Sequence, residues 1–158
     1  MSLTPVRLME LLDYNPDTGV FTWKESRGRV KFGDEAGSID SKGYTRIKVD
    51  GKEYRAHRLA WLYIYGVFPT EEIDHKNRLK RDNRISNLRE ANHKQGMANL
   101  PAHNGLKGAY WHKGRGKWCA QIRENDKATH LGLFLTEEEA HLAHMARARL
   151  LRGKFAAA

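Results

Sequence analysis

The chain has a single cysteine, Cys119, in 158 residues. One thiol excludes an internal disulfide framework and any cysteine-rich zinc site. Uninterrupted apolar sequence is scarce too. The longest run, "LAWLYIYGVF" from Leu59 to Phe68, falls well short of the ~18 residues that a membrane helix needs. No basic amphipathic helix with a strong hydrophobic face offers another route to a bilayer. The opening "MSLTPVRLMELLDYNP" sets Arg7, Glu10 and Asp13 among its apolar positions, whereas a secretory signal keeps its apolar stretch uncharged. The expectation is an intracellular, cytoplasmic protein with no membrane partner.

Acidic residues are also in deficit: 19 Asp and Glu stand against 28 Lys and Arg, a formal charge of +9. An excess of that size favours a polyanionic partner. The length fits one ordinary domain or two or three small modules. Small modules bury less of their surface and lean on one another or on a partner.

Along the chain, "LTPVRLMELLDYNPDTG" offers Thr4 as a helix cap with Pro5 in the first turn and an Asn-Pro-Asp stop, which predicts a short helix followed by a turn. Alternation in "GVFTWKE", "AGSIDSKGYTRIKV" and "KEYRAHRLAW" reads as strands, with Asp50-Gly51 a hairpin signal. The pattern turns helical from Arg58 to Tyr65 and is stopped by Gly66 and Pro69. A further helix starts near Asn92, and "NLPAHNGLKG" from Asn99 to Gly108 reads as a linker. The expected segments are 1–55, a helix and hairpin element; 56–100, a module that holds the most cationic stretch; and 101–158, a second module.

That second module shows three short alternating strands, with Ala109, Trp111, Trp118, Ala120 and Ile122 on an apolar face. Lys107, Tyr110, His112, Cys119, Gln121 and Arg123 are expected on the opposite, polar face. A helix opens with a Thr136 to Glu139 capping box, carries Ala140, Ala143 and Leu150 at helical spacing and ends at Gly153. The fold class is therefore α+β, with a three-stranded antiparallel sheet packed on one helix in the C-terminal part.

The chemistry concentrates in "EEIDHKNRLKRDNRISNLREANHKQGMAN", Glu71 to Asn99, where Asp74 and His75 adjoin Lys76, Arg78, Lys80, Arg81, Arg84 and Arg89. Phosphodiester hydrolysis needs a base for water and cations to offset charge on the phosphorus centre. A neutral imidazole suits the first role, and a carboxylate suits a hard divalent cation. On a strand, adjacent side chains point to opposite faces, so acting together would need an irregular backbone. By spacing alone, an Asp-His pair in a polar loop is more often a solvated or capping pair.

The segment resembles the HNH endonucleases of phages and mobile introns, the ββα-metal motif. "IDHKNRLKRDNRISNLREANHKQGMAN" and the upstream "YRAHRLAW" carry the likeness over residues 55–99. The resemblance implies a homing-type nuclease using Mg²⁺ or Mn²⁺, with His75 as general base, Asp74 as metal ligand and Asn87 steadying the base. It gives Asn83 a loop-bracing role and His57 a packing or phosphate-contacting one. The motif's last metal ligand, an Asn or His on the helix, falls at Gly96, which has no side-chain donor; His93 and Asn99 flank it without reproducing its geometry. Cleavage is expected to be lost or severely weakened, with DNA binding kept.

"GLKGAYWHKGRGKWCAQI", "HLGLF" and "TEEEAHLAHMARARLLRGKFA" resemble the DNA-binding domain of plant ethylene-response factors, the Apetala type, over residues 104–156. That likeness implies that the sheet meets double-stranded DNA through Lys107, Tyr110, His112, Gln121, Arg123 and His130. Several of that family's arginines are replaced here, so its target sequence does not carry over. One motif per chain implies nicking unless the chain dimerises. The competing expectations are a catalytically inactive DNA-binding protein on an HNH platform and an RNA-directed nuclease.

Overall fold

A computed structural model describes residues 3–99 and 105–156. Residues 100–104 of the expected linker lie outside that description. The chain divides into two compact units, Met1–Asn92 and His93–Ala158, and both mix helices with antiparallel sheets.

In the first unit, α1 (Pro5–Leu11) begins as local sequence dictates: the Thr4 side chain accepts the Arg7 N–H at 3.2 Å. β1 (Leu12–Asn15) and β2 (Val20–Trp23) form a hairpin. β3 (Ser38–Ile39), β4 (Thr45–Val49) and β5 (Lys52–Arg55) form a three-stranded sheet. Val49 pairs with Lys52 across Asp50 and Gly51, whose φ values of 48° and 83° are both positive, as a tight two-residue hairpin requires. α2 (Ala56–Tyr65) starts two residues before its expected Arg58 and stops at Gly66, φ 74°. β6 (Glu72–His75) and β7 (Leu88–Ala91) make a second hairpin, with a 3₁₀ turn over Ile85–Asn87 just before β7.

One core joins these elements: Leu8, Leu12, Phe21, Ile47, Leu59 and Leu62 are fully buried and belong to one cluster with Leu88. The helix and hairpin element of residues 1–55 thus shares its interior with the segment after it. The physical reason lies in β6 and β7. Four-residue strands rich in Glu, Asp, His and Arg bury too little apolar surface to stand alone.

In the second unit, α3 (His93–Ala98) precedes a sheet of β8 (Ala109–His112), β9 (Lys117–Glu124) and β10 (Lys127–Phe134) in the order β10-β9-β8. α4 (Glu137–Arg152) carries the expected Thr136–Glu139 capping box. Its Arg147 reaches Glu124, a residue on the Trp118, Ala120 and Ile122 side of β9, at 3.3 Å, so α4 covers that side. Two burial expectations are corrected. Cys119 is fully buried although the alternation sets it on the polar face with Gln121 and Arg123, because the register places it between Tyr110 and Leu133. Leu150 is 79% exposed; ten residues beyond Ala140 it lies about 80° off that residue's helix face, and Ala140, His144, Met145 and Ala148 form the buried side. Among the described residues, no helix is long and apolar enough to cross a membrane.

Candidate functional site

Asp74 and His75 both lie in β6, and the β6–β7 register sets Asp74 opposite Arg89 and His75 opposite Leu88. Adjacent residues of a strand face opposite ways, and these two have different partners. Asp74 Oδ2 accepts from Arg89 Nε at 2.8 Å and from Arg89 Nη2 at 2.7 Å, with both side chains largely buried. Arg89 is therefore not part of an exposed cationic face; it neutralises the carboxylate across the hairpin.

His75 is 5% exposed and enclosed by aromatic rings. Its ring centroid lies 5.0 Å from that of His57, edge to face, and 6.0 Å from that of Tyr44. His75 Nε2 faces Asn83 Oδ1 at 3.4 Å. An amide oxygen only accepts, so this pairing favours the tautomer with its proton on Nε2. Burial pulls the His75 pKa below its usual value of 6.5, while Asn83 and the Asp74 and Asp82 charges pull the other way. The imidazole is thus neutral at neutral pH, the form a general base requires.

The two asparagines divide the work differently from the expectation. Asn83 makes the contact to His75, whereas the Asn87 amide secures the loop: its Oδ1 accepts the Asn77 N–H at 3.0 Å and its Nδ2 donates to the Asp82 carbonyl at 2.8 Å. Asn83 is itself held from the N-terminal hairpin. The buried Tyr14 hydroxyl donates to the Asn83 carbonyl at 2.7 Å. Gly19, φ 76°, runs so close that a Cβ there would lie 2.4 Å from the Arg84 nitrogen. Tyr14, Tyr44 and Gly19 escaped the sequence reading because nothing local links them to a strand and loop that follow only after intervening elements.

Lys76, Arg78, Lys80, Arg81 and Arg84 are all exposed on this loop. Arg78, Lys80, Arg81 and Arg84 line a shallow groove with Asp17 and Thr18. Asp82 anchors Arg84 and also accepts from Asn77 Nδ2 at 2.6 Å; the Arg84 guanidinium first of all holds its pKa at about 2. Lys80 donates to the Lys42 carbonyl at 2.9 Å and sits 5.1 Å from the Tyr44 ring, with Arg55 4.5 Å from the same ring.

His57 is 4% exposed, and its Nδ1 has no hydrogen-bond partner. Burial, helped by His75, Arg55 and Arg58, pushes its pKa from 6.5 down to about 3. The unfolded chain therefore binds this proton below pH 6.5 while the folded chain does not, so stability falls as the solution is acidified. At about 1.4 kcal/mol per pH unit, about 2–3 kcal/mol is lost by pH 4.5. His57→Phe, which sacrifices no hydrogen bond at Nδ1, is expected to flatten the dependence of urea midpoint on pH between 6.5 and 4.5.

In the second unit, Tyr110, Gln121, Arg123 and His130 stand on the sheet face away from α4, with Gln121 opposite His130. Arg123 and His130 are exposed, while His112 is half-buried with an unpartnered Nδ1. Lys107 is half-buried and donates to the Ala98 carbonyl at 2.5 Å. Gly96 lies in α3, where a Cβ would meet nothing within 4 Å.

Hydrolysis assisted by a divalent cation needs several oxygen or nitrogen donors around one point. Among the described residues, no group of three His, Cys, Asp or Glu side chains could hold a metal ion. Asp74 meets Arg89 through Oδ2, and Gly96 supplies no side chain. The donor set present does not by itself make a metal site.

Residues 54–98 match the HNH endonuclease family model. The HNH segment spans α2, β6, β7 and α3. A solved structure described as "DNA binding and cleavage by the HNH homing endonuclease I-HmuI" aligns at 26% identity with a TM-score of 0.45, covering 56% of this chain and 51% of that one. The chain thus spans about half the length of that protein. No curated protein gave a significant match to the chain.

Proposed function

We propose that the chain is a DNA-binding HNH endonuclease that hydrolyses phosphodiester bonds of duplex DNA, its turnover weakened by the glycine at residue 96. The observation that carries this reading is the neutral, buried His75 oriented by Asn83 inside the HNH segment, beside a loop of exposed cations. In the reaction, His75 Nδ1 takes a proton from water, the water oxygen bonds to phosphorus, and the ester oxygen leaves. Asn83 keeps the imidazole in the tautomer with Nδ1 unprotonated, and Asn87 keeps the loop that carries Asn83 in shape. The exposed Lys76, Arg78 and Lys80 offset the charge that builds on the phosphate oxygens. HNH nucleases work with a divalent ion; Mg²⁺ or Mn²⁺ would fill that role, with Asp74 as the carboxylate this segment would offer and a bound phosphate supplying further oxygens.

In the C-terminal unit, the face bearing Tyr110, Gln121, Arg123 and His130 supports a sheet that reads duplex DNA in the manner of the Apetala type. His112, half-buried, lines its edge, and Lys107 braces the backbone at Ala98 instead of projecting into solvent. The Asp74–Arg89 pair and Gly96 favour a second reading, a catalytically silent DNA-binding protein on the same platform. Nicking of supercoiled plasmid in Mg²⁺ or Mn²⁺ separates the two: activity that disappears in His75→Ala sustains the endonuclease, and its absence at every metal concentration sustains the platform.

Binding itself is expected to be strongly salt-dependent. Five exposed loop cations, each displacing a counterion with a slope of about 0.9, give a log K against log salt slope of about −4 or steeper. Arg81→Ala should make that slope shallower by about one, read by fluorescence anisotropy from 50 to 300 mM salt. A flat response would count against contact between this loop and a phosphate backbone.

A further inference from the structure

Between β2 and β3 the chain runs through "SRGRVKFG", Ser26 to Gly33, in which Arg27, Arg29 and Lys31 alternate with Gly28, Val30 and Phe32. Phe32 is 74% exposed. A lone exposed aromatic is ordinary, but this one is held out by a built loop. Arg27 and Val30 exchange both backbone hydrogen bonds, at 2.8 and 3.0 Å. The Phe32 N–H donates to Ser26 Oγ at 3.0 Å and the Lys31 N–H to Asp34 Oδ2 at 2.7 Å. Gly33 and Asp34 bond back to the two sides of Trp23, at 2.8 and 3.0 Å, and the Arg27 guanidinium lies 5.6 Å from the Trp23 ring. Gly28 and Gly33, φ 57° and 83°, take the positive-φ turns that close the loop.

The tip carries three cations and no acidic residue. Of the flanking acids, Asp34 accepts the Lys31 N–H and Glu25 lies 3.9 Å from Arg27, while Glu35 bridges to Thr22 through its backbone. A rigid aromatic point flanked by cations suits one polyanion in particular, a stacked duplex, where an apolar wedge can open a base step while cations hold the phosphates beside it. The loop leaves the β1–β2 hairpin at the end opposite the Gly19 turn that abuts Asn83 and Arg84. A four-residue strand therefore separates the tip's root from the catalytic loop by about 10 Å.

We propose that residues 26–33 form a DNA wedge, with Phe32 entering a base step of the duplex and Arg29 and Lys31 gripping the adjacent phosphates. The inference rests on the duplex-DNA reading above and adds to it a bending element outside the HNH segment. Its test uses the full chain and a 20-base-pair duplex with a fluorophore at each end. Binding should shorten the end-to-end distance by energy transfer, as a kink of about 20–90° requires. Phe32→Ala should abolish the shortening and weaken binding about tenfold, on the scale of a lost aromatic–base contact. Phe32→Leu, still a wedge, should keep most of both, and because the side chain is exposed all three proteins fold alike. Duplex binding with no shortening, or shortening that survives in Phe32→Ala, overturns the wedge and leaves the DNA reading standing. Failure of the wild-type chain to bind any duplex overturns both. Capture by anionic phosphatidylserine vesicles that is lost in Phe32→Ala, with duplex bending unchanged, assigns the tip to a membrane surface and overturns the wedge as well.

Discussion

Replacing His75 with Ala is expected to lower strand cleavage by about 10²- to 10⁴-fold, the span that a positioned general base contributes, while leaving duplex affinity as it was. The two effects part because His75 is buried and presents little surface to a bound backbone, whereas the cations of the same loop are exposed. The fall is best read in a Gly96→Asn background. That substitution is expected to raise nicking by about tenfold or more, in line with the sensitivity of metal sites to their supporting groups. Among the described residues, nothing lies within 4 Å of a Cβ at Gly96, and removing a helical glycine leaves α3 no less stable. Plasmid nicking at graded Mn²⁺ concentrations gives both numbers. A Gly96→Asn protein no faster than the parent would mean that the absent ligand belongs elsewhere in the chain.

Breaking the Asp74–Arg89 pair is expected to cost about 3–5 kcal/mol of folding stability, because Arg89→Met leaves a carboxylate in a largely buried place without its counter-charge. Both Arg89 donors meet one oxygen, Oδ2, at 2.7 and 2.8 Å, so the variant removes both contacts at once. The double variant Asp74→Leu/Arg89→Met should regain most of the loss, since apolar replacement of a buried pair is often close to neutral. Urea unfolding of the three proteins measures the difference. If Arg89→Met unfolds at the parent's midpoint, the pair is screened by water and the carboxylate is more available to a cation than its geometry indicates.

Local rules made much of this fold legible before any coordinates. Thr4 with Pro5, Asp50-Gly51, Gly66 and the Thr136–Glu139 box each act within four residues of themselves, so their geometry is written beside them. Asp74 and His75 stood out for the same reason, as adjacent groups with complementary chemistry. What could not be read locally was long-range pairing. Arg89 looks like one more cation in a basic run until the β6–β7 register sets it opposite Asp74. Asn83 and Asn87 are equivalent amides in sequence, and the Tyr14 hydroxyl and the 3₁₀ turn over Ile85–Asn87 decide which of them faces His75. Cys119 follows the alternation of its strand, and its burial comes from the neighbours that strand pairing brings to Tyr110 and Leu133.

The meeting of the Gly19 turn with Asn83 and Arg84 bears on how this HNH segment can be moved. A transplant of residues 56–99 into another scaffold would arrive with the Asn83 carbonyl lacking its tyrosine hydroxyl and with an open flank where the hairpin had pressed. The portable cassette therefore begins near Leu3, and any chimera joined later than Tyr14 inherits a slack hinge under its imidazole.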